Sequence, residues 1–194
     1  MGLLICILNG LFWAFFDITR KLSLKFLHPK ILLSFFMIVQ VIIFFVWTLY
    51  EKNFYFSYNY VLPGVILIFI SVISAIFFLK SILHSDLSLT IPLLSLTPLF
   101  SSLFSLLFLN EKLSLTQYFG ILSIVFGTLT LYTNELTLNS FFRSFMIIKE
   151  NKGAKLMIFV SIFWSITPVI DKICLKYTPI NYHGLIQSLG MLLA

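Results

Sequence analysis

The first apolar stretch of the chain contains three polar or aromatic residues at helical spacing. Asn9, Trp13 and Asp17 are four residues apart, so in a helix they share one face. Polar groups in lipid usually face the interior of a helix bundle or a water-filled cavity. The pattern predicts one wall of a cavity, with Trp13 as a stacking surface for a bound molecule. Packing against a neighbouring helix is the alternative for Trp13.

Asp17 has two interpretations that differ in their partners. As a buried carboxylate it would bind and release a proton, a chemistry suited to ion coupling. Arg20 and Lys21 follow at i+3 and i+4, so an ion pair on the same helix is the favoured interpretation. Asp171, directly before Lys172, is interpreted in the same way.

A second group of candidates surrounds a proline in a later apolar stretch. Ser95, Pro98, Ser102 and Ser105 fall on one helical face. A proline at mid-span lacks an N–H and frees a carbonyl, an irregularity found at binding sites in membrane bundles. The pattern predicts a kinkable helix that lines a cavity, and close packing of a small face is the alternative.

A third group lies near the end of the chain, where Pro168 again interrupts an apolar stretch. Thr167 is available to bond a group that Pro168 frees, and Trp164 is one turn away. The candidate cavity residues are therefore Asn9, Trp13, Asp17, Ser95, Pro98, Ser102, Trp164 and Thr167.

No enzyme signature accompanies these residues. The three histidines lie at the edges of apolar stretches, too scattered for a zinc site, and the sequence contains no HExxH, GxSxG or P-loop motif. Cys6 and Cys174 lie inside apolar stretches and are interpreted as small buried hydrophobic residues. The sequence predicts a protein that is not an enzyme, with no catalytic residues, no metal, no cofactor and no coupling to ATP.

The composition places these residues in a membrane. Of 194 residues, 60% are hydrophobic and 10% are charged, whereas a soluble domain has about 25% charged residues. Too few polar side chains remain to cover a water-soluble fold. A soluble enzyme, a disordered chain and a nucleic-acid binder are excluded, and the net charge of +6 must lie in short loops. We expect the lipid bilayer as a partner and no nucleic acid.

Six apolar stretches are long enough, or nearly so, to cross a bilayer. They are continuous and do not alternate, which favours helices over barrel strands. The predicted spans are Leu3–Thr19, Ile31–Tyr50, Val61–Leu79, Leu87–Leu109, Leu115–Thr133 and Ala154–Ile173, with a seventh stretch from Tyr182 to Ala194.

The connections carry further predictions. In the longest, residues 134–153, Phe141, Phe145 and Ile148 share a helical face, which indicates either an interfacial helix or a plain loop. Lys and Arg are fewer on the N-terminal side of the membrane, four against nine by our assignment, so the positive-inside rule places the N-terminus outside.

Two segments of the chain repeat. Residues 12–25 read FWAFFDITRKLSLK and residues 163–176 read FWSITPVIDKICLK, with five identities at an offset of 151. Five spans separate the copies, so the second copy enters the membrane in the opposite direction, as in inverted-repeat transporters. A full second copy would need five helices, and the chain ends inside an apolar stretch. We therefore expect a fragment of a ten-helix protein of about 300 residues.

Residues 92–132 resemble the EamA domain of the drug/metabolite transporter superfamily. The resemblance is carried by Pro98 and Phe100 at mid-span, by the turn at 110–114 (NEKLS), and by the element that follows it. In that element Gln117, Gly120 and Gly127 match the family's Gln-x-x-Gly and its second glycine. The turn departs mildly, with Asn for Gly and Lys for Arg. We interpret Glu111 and Lys112 as a local salt bridge and the two glycines as a close-packing face.

The resemblance implies an all-α polytopic membrane bundle of EamA-type five-helix inverted repeats. Residues 1–133 form the first repeat, 134–153 a linker, and 154–194 the start of a truncated second repeat. It also implies a secondary transporter of small organic metabolites, such as an amino-acid or metabolite exporter, with alternating access around a midplane cavity. Family members commonly have both termini in the cytoplasm, contrary to the charge count. The implied location is a bacterial-type plasma (inner) membrane.

Two alternatives stay open. One is a half-size drug exporter that forms a homodimer, which is expected if 194 residues is the natural length. The other is a membrane scaffold or assembly subunit that transports nothing.

Overall fold

A computed structural model describes residues 2–110, 112–131 and 149–194 of the chain. Its regular structure in these ranges is helical. The helices are α1 Gly2–Ser23, α2 Pro29–Glu51, α3 Val61–His84, α4 Leu87–Thr90, α5 Thr97–Leu109, α6 Leu115–Thr130, α7 Lys152–Cys174 and α8 Ile180–Leu193. Short 3-10 segments precede α3 at Tyr58–Tyr60 and join α4 to α5 at Ile91–Leu96.

Five helical segments within the described ranges are long and apolar enough to cross a membrane. They are Gly2–Ser23, Pro29–Glu51, Tyr58–His84, Leu87–Leu109 and Lys152–Cys174. The predicted helical membrane bundle is confirmed. The predicted fifth span is the shorter helix α6, and its predicted end at Thr133 lies outside the described residues, as do Glu111 and residues 134–148 of the predicted linker.

The fourth span is broken rather than kinked. Pro98 lies in the first turn of α5, where the missing N–H leaves no helical bond unmade. The carbonyl of Leu94, which an N–H at position 98 would have met in a continuous helix, accepts a bond from the N–H of Thr97 instead. The prediction that Pro98 frees a carbonyl is therefore wrong, because the preceding 3-10 turn satisfies that group.

Helix α7 packs along α3 in the antiparallel direction. Its first turn lies at the end of α3, where the Ser81 hydroxyl donates to Gly153 O at 2.6 Å and the Ser85 hydroxyl donates to Asn151 Oδ1 at 2.6 Å. Its last turn lies at the start of α3, where Cys174 packs against Tyr60. We call these the Ser85 end and the Tyr60 end of the bundle.

Helix α1 runs opposite to α7. Near the end of α1, the Lys21 ammonium donates to Ser85 O at 2.8 Å and also to Ile82 O. The end of α1 therefore lies at the Ser85 end, where α7 begins. Helix α8 packs against α2, and α5 against α7.

The helix–turn–helix at 20–29 recurs at 171–180 with an offset of 151. Helices α1 and α7 end at Ser23 and Cys174, and α2 and α8 begin at Pro29 and Ile180. Three turn hydrogen bonds repeat in register: Leu24 N to Arg20 O, Lys25 N to Leu22 O and Phe26 N to Ser23 O correspond to Leu175 N to Asp171 O, Lys176 N to Ile173 O and Tyr177 N to Cys174 O. The two segments, which have five identities, thus adopt the same backbone conformation and run in opposite directions.

The predicted close-packing glycines do not pack closely in the described structure. A Cβ atom at Gly120 or Gly127 would meet nothing within 4 Å. The tight glycines lie where α7 and α8 cross α3 and α2. A Cβ at Gly153 would lie 2.4 Å from Ser85 Oγ, and one at Gly184 would lie 2.2 Å from Phe44. Both would clash, so these two positions admit close helix contact.

Candidate functional site

A cavity of about 130 Å³ lies between α1, α2, α3 and α7. Trp13 of α1 and Trp164 of α7, which correspond at the repeat offset, both line it. The other lining residues are mainly aromatic and aliphatic, with one amide and one guanidinium among them. They are Phe16, Arg20, Leu33, Phe36, Met37, Gln40, Ala75, Phe78 and Leu79.

Trp164 is held in a defined orientation. Its indole Nε1 donates to the Ser74 hydroxyl of α3 at 3.1 Å, and its ring stacks on Phe78 with a centroid distance of 5.2 Å and an interplanar angle of 24°. Trp13 is less enclosed, because half of its surface is exposed; its ring packs edge-on against Phe16, and the Arg20 guanidinium carbon lies 5.5 Å from its centre. The cavity therefore has one fixed and one adjustable indole wall.

Arg20 places a cation among the rings of this cavity. Its guanidinium carbon lies 3.9 Å from the ring centre of Phe16, 5.2 Å from that of Phe78 and 5.4 Å from that of Phe36. Nη1 donates to Asp17 Oδ1 at 2.9 Å, with both side chains about 15% exposed. The predicted ion pair is confirmed. Cation–π contacts on several rings and the ion pair together hold a charge within a helix that is long and apolar enough to cross a membrane.

The guanidinium has a buried nitrogen whose N–H is not used. Arg20 Nε is buried and has no hydrogen-bond partner among the described residues. A buried donor without an acceptor costs free energy. An acceptor atom on a bound molecule would remove this cost and so contribute to binding. A carboxylate oxygen is the natural partner for a guanidinium N–H.

The remaining predicted site residues lie elsewhere. Asn9 is exposed on α1. Ser95 contacts the Thr128 hydroxyl of α6. Pro98 and Ser102 line a separate cleft of about 410 Å³ between α5 and α6. Thr167 donates to Trp164 O at 3.2 Å. The structure thus brings Trp13, Trp164 and the Asp17–Arg20 pair together, and it does not bring the serines of the fourth span to them.

A second polar group lies at the Tyr60 end and joins α3, α7 and α8. His183 Nε2 is 2.9 Å from Asp171 Oδ1, and His183 Nδ1 is 2.8 Å from the Tyr60 hydroxyl. Gln187 Nε2 donates to the Tyr60 hydroxyl at 2.9 Å and to Gly64 O at 3.1 Å. We call these four side chains the His183 chain.

Sequence reasoning missed the roles of Arg20 and His183. Arg20 is seven residues after Trp13, so the two share one face of the helix. The interpretation of Arg20 as a partner of Asp17 did not use this spacing. Phe36 and Phe78 carry no pattern that separates them from other aromatics in a chain with 23 phenylalanines. His183 lies at the edge of its apolar stretch, and its partners are 12 and 123 residues away.

These features define an integral, multi-pass helical membrane protein with a cavity among its helices. The EamA-like transporter family matches residues 1–133. The chain therefore belongs to this family of membrane transporters, as the motif at 98–127 suggested. No curated protein and no solved structure matches the chain.

Proposed function

We propose that this protein is a secondary transporter of small zwitterionic metabolites, amino acids in particular, in a bacterial-type plasma membrane. Cargo binds in the cavity between α1, α2, α3 and α7, and two inverted halves rock around it. Residues 154–194 contribute the start of the second half. In this proposal Trp13 and Trp164 contact the cargo, Asp17 positions Arg20, and Thr167 bonds the carbonyl of Trp164.

The observation that carries this proposal is the position of the two repeat-related tryptophans. Trp13 and Trp164 are 151 residues apart and line one cavity from helices that run in opposite directions. A site at the interface of inverted repeats is where such transporters bind cargo. The recurring helix bounds and turn hydrogen bonds support the same repeat.

Arg20 sets the chemical class of the cargo. Its unpaired Nε donor suits a carboxylate, and the aromatic rings suit an apolar side chain or an ammonium group. The Asp17–Arg20 pair is neutral overall, so the site favours a zwitterion over an ion with large net charge. A cavity of about 130 Å³ fits a small molecule.

The test is uptake of radiolabelled leucine and phenylalanine by proteoliposomes that hold the full-length native protein. W164A, W13A and R20K should each raise the half-saturating concentration. For R20K we expect a rise of about tenfold, because the variant keeps the charge but removes the Nε donor. The chain offers a matched control in its third tryptophan, Trp47, which bonds to Glu51 on α2 and does not line the cavity. W47F should leave uptake unchanged.

Two results would overturn the proposal. Uptake that W164A and R20K leave intact would place the site outside this cavity. Protein-free and protein-containing liposomes with equal uptake, together with a partner that co-purifies, would favour a scaffold role. A crosslinked dimer with active uptake would instead keep the cavity and assign its second half to another copy.

A further inference from the structure

The His183 chain has one consistent direction of hydrogen bonding. An ionised carboxylate only accepts, so His183 Nε2 carries the proton that faces Asp171. Nδ1 of the neutral ring then accepts from the Tyr60 hydroxyl at 2.8 Å. The Tyr60 oxygen in turn accepts from Gln187 Nε2 at 2.9 Å, and the other amide proton goes to Gly64 O. Every proton in the chain is placed when the imidazole is neutral.

A second proton on the imidazole cannot be added without breaking this arrangement. Once Nδ1 carries hydrogen it must donate to the Tyr60 oxygen, so the Tyr60 proton needs a new acceptor. Gln187 Oε1 is buried and has no donor among the described residues. It could accept that proton only if the amide turned over, which would end the donation to Gly64 O. Protonation therefore either leaves the buried Tyr60 proton without an acceptor or ends the hydrogen bond from Gln187 to Gly64 O.

The position of the chain makes that bond a contact between the two halves. Tyr60 and Gly64 belong to the start of the third span, whereas Asp171, His183 and Gln187 belong to α7 and α8. His183 is buried, but the Asp171 side chain is 41% exposed. The Asp171 carboxylate on Nε2 is thus in place to pair with the imidazolium that forms when Nδ1 takes up a proton.

The surroundings contain few other titratable groups among the described residues. On α7, Asp171 faces the imidazole and is followed by Lys172, and the buried Cys174 packs against Tyr60. On α8, Tyr182 packs on Phe54 and Phe56 of the connection before α3. Helix α2 presents the Phe44 ring to Gly184. Histidine is the residue type that most often serves as a proton-binding switch in proteins.

We propose that His183 is a proton-binding site whose occupation releases the contact between the halves at the Tyr60 end. When the imidazole is neutral, the hydrogen bonds of Tyr60 and Gln187 hold α8 to the start of the third span. A proton taken up at Nδ1 disrupts these hydrogen bonds. This inference rests on the proposed transport function and deepens it, because it makes the proton the coupling ion.

Cys174 and Cys6 provide a test that needs no cargo. Cys174 is fully buried behind Tyr60, and Cys6 is exposed on α1 of the same chain. The full-length protein in lipid nanodiscs is labelled with N-ethylmaleimide between about pH 8 and about pH 5, and the ratio of the Cys174 rate to the Cys6 rate is measured by peptide mass spectrometry. The expected result is a rise of about tenfold in this ratio as pH falls, the equivalent of one broken hydrogen bond.

Variants separate His183 from other causes. H183Q keeps an amide donor for Asp171 but has no second site for a proton, so its ratio should not change with pH. H84Q, which removes an exposed histidine at the other end of α3, should behave as the wild type. Y60F removes the hydroxyl, so its ratio of labelling rates should be high at every pH. If H183Q does not fold, Y60F tests the proton site in its place.

A wild-type ratio that is flat across this range would overturn the proton site, as would an H183Q or Y60F variant that keeps the wild-type pH response. Such a result would leave the leucine and phenylalanine uptake assay unaffected. Absent uptake with a clear pH response at Cys174 would overturn the transport proposal and not the proton site.

Discussion

The Thr167 hydroxyl donates to the carbonyl oxygen of Trp164 at 3.2 Å. That carbonyl is the group that loses its helical donor, because Pro168 four residues later has no N–H. Thr167 therefore repairs the helix at the turn that holds the cavity tryptophan.

Replacement of Thr167 should expose the cost of Pro168. T167V is expected to lower the free energy of unfolding by about 1 kcal/mol, the worth of one hydrogen bond. In a P168A background the restored N–H takes the same carbonyl, so T167V should there cost almost nothing. Unfolding in mixed micelles by SDS titration measures both. Equal costs in the two backgrounds would contradict the repair.

Removal of one charge of the Asp17–Arg20 pair should lower the free energy of unfolding more than removal of both charges. D17N leaves a guanidinium uncompensated at membrane depth and is expected to cost about 3 kcal/mol of stability. The double variant D17N/R20Q removes both charges and should recover most of that loss. D86N, at an exposed acid that makes no capping hydrogen bond, serves as the control. A double variant less stable than D17N would show that the charges do not act as a pair.

Alanine should separate the tight glycine from the open one. At Gly153 the new methyl would lie 2.4 Å from Ser85 Oγ and 2.7 Å from Ser81 O, so G153A is expected to cost about 1–3 kcal/mol by overpacking. At Gly127 nothing lies within 4 Å, and G127A should be neutral or gain up to about 1 kcal/mol from helix propensity. Unfolding midpoints in the same detergent compare them, and the reverse order would refute the assigned contact.

Lys21 should stabilise the Ser85 end and its neighbour Lys25 should not. The Lys21 ammonium donates to carbonyls at the end of α3, where a cation meets both free acceptors and the negative end of the helix. K21M is expected to cost about 2 kcal/mol, the worth of hydrogen bonds from a charged group. K25M changes an exposed lysine in the adjoining turn and should cost close to nothing. The contact would be unsupported if both variants unfolded at the same denaturant concentration.

The fold was predictable because the membrane leaves few choices. Continuous apolar runs require helices, and the fourth span was placed at Leu87–Leu109 as the structure has it. The internal break of that span was not predictable, since Pro98 is compatible with a kink as well as with a new helix start. What decides between them is the 3-10 turn set by Pro92 and the bond from Thr97 to Leu94 O.

The candidate site was predictable only where one helix carries the pattern. Trp13 and Asp17 share a face with Arg20, so spacing along α1 found two of the three. The rings that enclose Arg20 come from α2 and α3, and no spacing within one helix reports a contact between helices. The same limit hid His183, whose partners lie on α3 and α7.

The two copies of the helix–turn–helix share their backbone bonds but not their charges. Arg20 in the first copy, which pairs with Asp17, corresponds to Asp171 in the second, which contacts His183, so the two ends carry different polar contacts. A transporter with identical ends would open to either side at equal energetic cost. In the alternating-access transporter proposed above, the two costs would differ, so we expect the empty protein to face one side more often. The distribution of cargo at equilibrium would be unaffected, but we expect the half-saturating concentration to differ between the two faces of the membrane.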